Sequence, residues 1–254
     1  RLACPLTEIE RDGDIEVGIG AEGAVFALQS PAVKISEGDN NRLINDGYLF
    51  SYGDWTILGG HRNESVINRG ILVGSLDLGG GENSLLNDVE GIFALGPQVD
   101  LGGGEFRNRG LLWPGFSDTQ HTTVRGDLYL EDGSLYLLDI TSAGESDHIR
   151  VEGKASVEPG AVLAVERAYG DYPLNQRYAI LSSSQEIEGT FTQVDPGLPF
   201  IALDVLPEAQ GRQLTLHVGR SDTPFDSVGR SRNQRAVARA LDTLEPGAPD
   251  SLYR

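Results

Sequence analysis

Apolar and polar residues alternate along this chain in short bursts rather than in the 3.6-residue rhythm of a helix. Ser65-Val66-Ile67 and Ile71-Leu72-Val73 show the pattern, with one set of side chains directed to a core. The bursts are broken at a steady phase by asparagine and glycine. Asn45-Asp46-Gly47, Asn68-Arg69-Gly70, Asn87 ahead of Gly91, and Asn108-Arg109-Gly110 each precede an apolar pair. Those pairs are Tyr48-Leu49, Ile71-Leu72, Ile92-Phe93 and Leu111-Leu112, and the glycines lie 23, 21 and 19 residues apart. Asp77-Leu78-Gly79-Gly80-Gly81 also recurs as Asp100-Leu101-Gly102-Gly103-Gly104. A coil of about three strands of 4–6 residues plus turns needs roughly 18–25 residues, so this period marks a solenoid. A Leu-x-x-Leu-x-Leu frame is absent. The expectation is an all-β chain whose first part, about 15–115, is a right-handed parallel β-helix (solenoid). Asn and Gly are expected at its corners because they tolerate positive φ.

Strands are predicted at Ala24–Leu28, Ala32–Ile35 and Trp55–Leu58 besides the repeat positions. The rhythm changes near Pro114-Gly115. Longer alternating strands follow at Thr122–Leu130, Ser134–Ile140, His148–Glu152, Val162–Glu166, Arg177–Leu181, Gly189–Val194, Phe200–Leu206 and Gln213–Val218. After a Gly/Ser/Asp/Pro stretch at 219–229, Ser231 to Leu244 reads as a short amphipathic helix. Val237, Leu241 and Leu244 would form its apolar face, and Pro246 would end it. Three parts follow: 1–115 a β-helix stalk, 116–218 a β-rich capping stem, and 219–254 a linker and terminal helix.

Composition narrows the functions. Twenty Lys and Arg against 38 Asp and Glu give a net charge of −18. Nucleic acid is thereby disfavoured as a partner, because phosphate binding needs clustered cations. Arg232, Arg235 and Arg239 form a small basic patch, read as a solvated helix face. No apolar run reaches 18 residues, so no helical membrane span is expected. Cys4 alone cannot form an internal disulfide, and a chain that opens on Arg1 without any Met reads as a processed product or a fragment.

The ordered set of pieces resembles the passenger of a classical (type V) autotransporter. The stalk is carried by Asp77 to Asn87 and Asp100 to Gly110. The family's autochaperone region is carried by Gly126-Asp127-Leu128-Tyr129-Leu130, Gly133-Ser134-Leu135-Tyr136, Ser146 to Gly153, Tyr178-Ala179-Ile180-Leu181, Ile187 to Phe191, Leu198-Pro199-Phe200 and Leu214-Thr215-Leu216. Asn233 to Ala238 and Ala240-Leu241-Asp242 resemble the segment that leads toward the membrane barrel. The resemblance implies a non-enzymatic passenger at the bacterial cell surface or outer membrane. Its C-terminal stem would nucleate the β-helix during secretion and hold out an adhesive or virulence region. Its partners would be its own C-terminal translocator barrel and a host surface receptor or matrix. Tyr136, Ile140, Tyr178, Ile180, Phe191 and Phe200 would be the structural core of the stem.

Candidate chemistry is sparse. Gly18-Ile19-Gly20-Ala21-Glu22-Gly23 has the spacing of a dinucleotide fingerprint, but Gln29-Ser30-Pro31 would end the required helix within about two turns. The Gly-Gly-Gly-Glu runs lack the residue order of calcium-binding nonapeptides. His61, His121, His148 and His217 have no metal-ligand spacing. Ser146-Asp147-His148 are neighbours in sequence, whereas a catalytic triad is a spatial arrangement. No cofactor, metal or catalytic residue is therefore expected. The alternative is a carbohydrate-active β-helix enzyme, lyase or hydrolase-like, although Lys34 and Lys154 are the only lysines available to it. Arg125-Gly126-Asp127 is a candidate adhesive tripeptide, but its alternating flanks place it in a strand.

Overall fold

A computed structural model describes residues 6–9, 13–29, 31–170, 172–195, 201–241 and 243. The chain winds into a parallel β-solenoid of about six turns. Three stacked ladders form its faces. The first joins Glu16–Ile19, Asn40–Asn45, Asn63–Asn68, Ser84–Asn87, residues 105–108, residues 127–130 and Ala155–Val157. The second joins Ala24–Ala27, Tyr48–Ser51, residues 71–74, residues 92–95, Leu111–Leu112, Leu135–Ile140 and Val162–Arg167. The third runs from Val33–Ile35 and Ile57–Leu58 through residues 76–77, 98–100 and 121–124 to His148–Val151 and Arg177–Ser183. A single strand, Ile92–Asn108, contributes to all three faces.

Alternate residues of every ladder point inward and stack in register. Leu43, Val66, Leu85, Phe106 and Leu128 line the first face, and Leu49, Leu72, Phe93, Leu112, Tyr136 and Leu163 line the second. All are at most 1% exposed. The core is thus a set of columns shared along the axis rather than one central cluster, as repeat architectures require.

The repeated asparagines and glycines work differently from the expectation. None of Asn45, Asn68, Asn87, Asn108, Gly47, Gly70, Gly91 or Gly110 has positive φ. The asparagines are strand residues, fully buried, whose amides form a ladder: each Nδ2 of Asn45, Asn68 and Asn87 donates to Oδ1 of the next at 2.7 Å. The glycines are required by close approach. A Cβ at Gly70 would fall on the carbonyl oxygen of Gly47, and one at Gly110 on that of Gly91. Those carbonyls accept the amides of Ile71 and Leu111 at 2.8 and 2.9 Å. Positive φ belongs instead to Gly79, Gly81, Gly102 and Gly103 in the glycine runs.

At its C-terminal end the solenoid changes hand of pairing. Arg177–Ser183 pairs parallel with His148–Val151 on one side and antiparallel with Gln213–Arg220 on the other, which pairs antiparallel with Ile201–Glu208. The predicted strand Gly189–Val194 shrinks to Gln193–Asp195, because Gly189 sits at φ 82 and breaks the extended backbone. The helix spans Arg232–Leu241 and buries Ala238, whereas Val237 is 62% exposed, so the predicted apolar face is rotated. Leu244 and Pro246 lie outside the described residues.

Candidate functional site

Arg125-Gly126-Asp127 lies within the strand His121–Leu130, at the corner where it passes from the third face to the first. Gly126 takes φ 146 there, and a Cβ would meet the carbonyl of Gly104 on the coil beneath. Arg125 pairs with Asp100 at 3.0 Å and Glu152 at 3.3 Å. Asp127 Oδ1 accepts the amide of Lys154 at 2.8 Å. The arginine and the aspartate are therefore each held by neighbouring coils in strand geometry, not presented on a loop.

Ser146, Asp147 and His148 do not converge. Asp147 is fully buried and bonds inward, Oδ1 to the amide of Gln120 at 2.7 Å and Oδ2 to that of Asp139 at 2.8 Å. Burial raises its pKa to about 7. His148, the next residue along a strand, projects to the opposite side. Its Nε2 lies 2.9 Å from Ser182 Oγ, and its ring meets His121 edge-on at 5.6 Å. Burial, then the nearby His121 and Arg150, lower its pKa to about 4, so the imidazole is neutral at pH 7. The neighbouring carboxylate thus steadies the backbone and cannot orient this imidazole. The Ser182–His148 contact was not legible in the sequence, since the two residues stand 34 apart and meet only through coil stacking.

Among the described residues no group of three or more His, Cys, Asp or Glu could hold a metal ion, and no helix is long and apolar enough to cross a membrane. Gly18 to Gly23 form a strand end and a corner, closed by the Gly23 amide on Gly20 O at 2.6 Å. Tyr136, Ile140, Tyr178, Ile180 and Phe191 are all buried. The Tyr136 hydroxyl donates to Ile180 O at 3.2 Å and that of Tyr178 to Thr141 O at 2.8 Å. Phe200 lies outside the described residues.

No family model matches the chain. It is similar to two proteins of Serratia marcescens, both named "Extracellular serine protease". One is 29% identical over 134 residues, covering 50% of this chain and 12% of the relative. The other is 24% identical over 131 residues, covering 48% and 12%. The chain thus matches about an eighth of each relative's length. These names overturn the expectation of a non-enzymatic protein: the similarity leads to secreted proteases. No Gly-x-Ser-x-Gly elbow in the sequence pointed to such relatives.

Proposed function

We propose that this chain is a β-helical passenger segment of a bacterial autotransporter, exposed at the cell surface or released, and that the exported protein to which it belongs is a serine protease. The observation that carries this reading is the stacked parallel solenoid in a chain half of which aligns with proteins named as extracellular proteases. The solenoid serves as a rigid carrier whose length grows by about 4.8 Å with each coil. Residues 116–218 act as the folding template: the antiparallel strands there cover an edge that would otherwise pair with other chains. An adhesive region and a translocator barrel, as in the passengers this sequence resembles, complete the reading.

Intact Gram-negative cells expressing the whole gene provide the test. External proteinase K should remove an epitope placed in the chain. Caseinolytic activity at the surface or in the medium should be lost on treatment with a serine-directed phosphonate. An epitope confined to the cytoplasmic fraction would overturn the passenger reading, and phosphonate-resistant proteolysis would overturn the protease reading alone.

A further inference from the structure

The outward side of the second face is apolar along its whole height. Its outward residues stack in register just as its core residues do. One column runs through Tyr48, Ile71, Ile92, Leu111, Leu135 and Val162. A second holds Phe26, Phe50 and Val73 in the first coils and Leu137 and Ala164 in the last. Each of these is at least partly exposed, while Leu49, Leu72, Phe93 and Leu112 between them are sealed in the core. At the rim of the first coils Leu28 is 76% and Tyr52 74% exposed.

The face is also free of charge. No Asp, Glu, Lys or Arg occurs at residues 24–28, 48–52, 71–75, 92–96, 111–113, 135–137 or 162–164, although charged residues make up 23% of the chain. The other two faces turn ion pairs outward, Arg42 with Glu16 on the first and Arg125 with Asp100 and Glu152 on the third. Charge enters the second face only at the far ends of its last two strands, with Asp139 and Glu166. Its exposed rings brace one another. Phe26 and Tyr48 have centroids 5.4 Å apart, and Phe50 and Tyr52 meet edge-on at 4.4 Å. Side chains already held in this way lose little freedom when a partner covers them.

We infer that this face is an interface between two copies of the chain, packed sheet on sheet with their axes antiparallel. Seven strands about 4.8 Å apart, each of about five residues, make a patch of about 29 by 16 Å. Two such patches bury roughly 1,000 Å², the lower bound for a specific interface. Charge selects the occupant. With a net charge of −18 two copies repel each other, and this is the face on which they meet with their charged faces turned away. A basic partner would be drawn to the acidic faces instead. Charge also selects the orientation, because parallel stacking would set Asp139 and Glu166 against their own copies, whereas a two-fold axis across the face sends them to opposite ends.

Sedimentation velocity of the folded full chain across the micromolar range tests this. Wild type should pass from monomer to dimer, and added salt should favour the dimer by screening the repulsion between copies. Val73→Glu or Ile92→Glu, which would bury an unpaired charge in the contact, should weaken association at least about tenfold, which is 1.4 kcal/mol. Phe50→Ser, which removes apolar area without adding charge, should weaken it less and serves if a glutamate disturbs folding. Leu86→Glu, at a partly exposed position of the first face, should leave the dimer intact. A chain that stays monomeric at every concentration, a dimer unaltered by the second-face variants, or one that salt disperses would each overturn the inference. So would a monomer that floats with phosphatidylcholine vesicles, which would assign the face to lipid.

Discussion

Removing one asparagine from the buried ladder tests what such a residue contributes. Asn68 Nδ2 serves Asn87 Oδ1, Gly70 O and Ile92 O, while its Oδ1 accepts from Asn45. Asn68→Ala leaves several of these unpaired, and each buried orphan costs roughly 1–3 kcal/mol. Asn68→Asp is expected to be worse in urea unfolding at pH 7, since it buries a charge that offers oxygen to oxygen. Equal losses would place the asparagine's value in shape alone. Glu64 offers the opposite case. It is 2% exposed, and its Oε2 has no partner, as has Oδ1 of the adjacent Asn41. Burial raises its pKa above the ordinary 4.5, against the Gly60 amide and Asn41, which lower it. The folded chain therefore holds this proton more tightly than the unfolded chain. Its contribution is greatest below the unfolded value and is lost as pH rises through the folded one. Glu64→Gln keeps the acceptor and puts a donor in place of Oε2. It should stabilise the chain at pH 8 by roughly 1–3 kcal/mol, with the gain shrinking at pH 4. A gain independent of pH would show that ionisation of Glu64 is not the cause.

At the scale of elements, sequence alternation located strands well and their ends poorly. Ala24–Ala27 and Leu135–Ile140 fall nearly where apolar alternation put them. Those signals are local, because inward side chains alone bury the face. Corners depend on contacts between coils, which a single coil's sequence does not carry. The Asn-x-Gly phase was visible, yet its reason, carbonyls of the coil beneath occupying the Cβ position, appears only when coils are stacked. Gly70→Ala must displace the Gly47 carbonyl from the Ile71 amide. It should cost on the order of 1–3 kcal/mol, as overpacking does, whereas the same change at Gly103, where a Cβ meets nothing within 4 Å, acts only through its φ of 93. Calorimetric midpoints of the two variants separate packing from backbone strain. The Ser182–His148 contact was invisible for a similar reason. The two residues lie on strands of neighbouring coils, and no spacing rule links them.

The whole molecule is a column with one strengthened end. Between Ile19 and Leu130 the first face is held by the amide ladder, and beyond it Leu130 and Val157 take the same stacked position. That exchange coincides with the change of rhythm near Pro114. From there Tyr136, Tyr178 and Phe191 add to the core aromatics Phe93 and Phe106 of earlier coils, with Tyr136 and Phe191 rings 6.1 Å apart. Antiparallel strands then pair along the outer edge of Arg177–Ser183. A core closed by antiparallel strands leaves less of its terminal coil bare, whereas a run of parallel coils without such a cover exposes apolar core and unpaired strand edges. Residues 120–245 should therefore fold alone and resist protease, while residues 15–115 alone should not. In the full chain, Phe191→Ala should cost roughly 3–5 kcal/mol and expose the amino-terminal coils to digestion, because the template they stack upon has loosened. Pulse proteolysis with fragment mapping reads both outcomes. Equal protease resistance of the two isolated pieces would remove the templating role from 116–218 and leave the solenoid as a chain of equivalent coils.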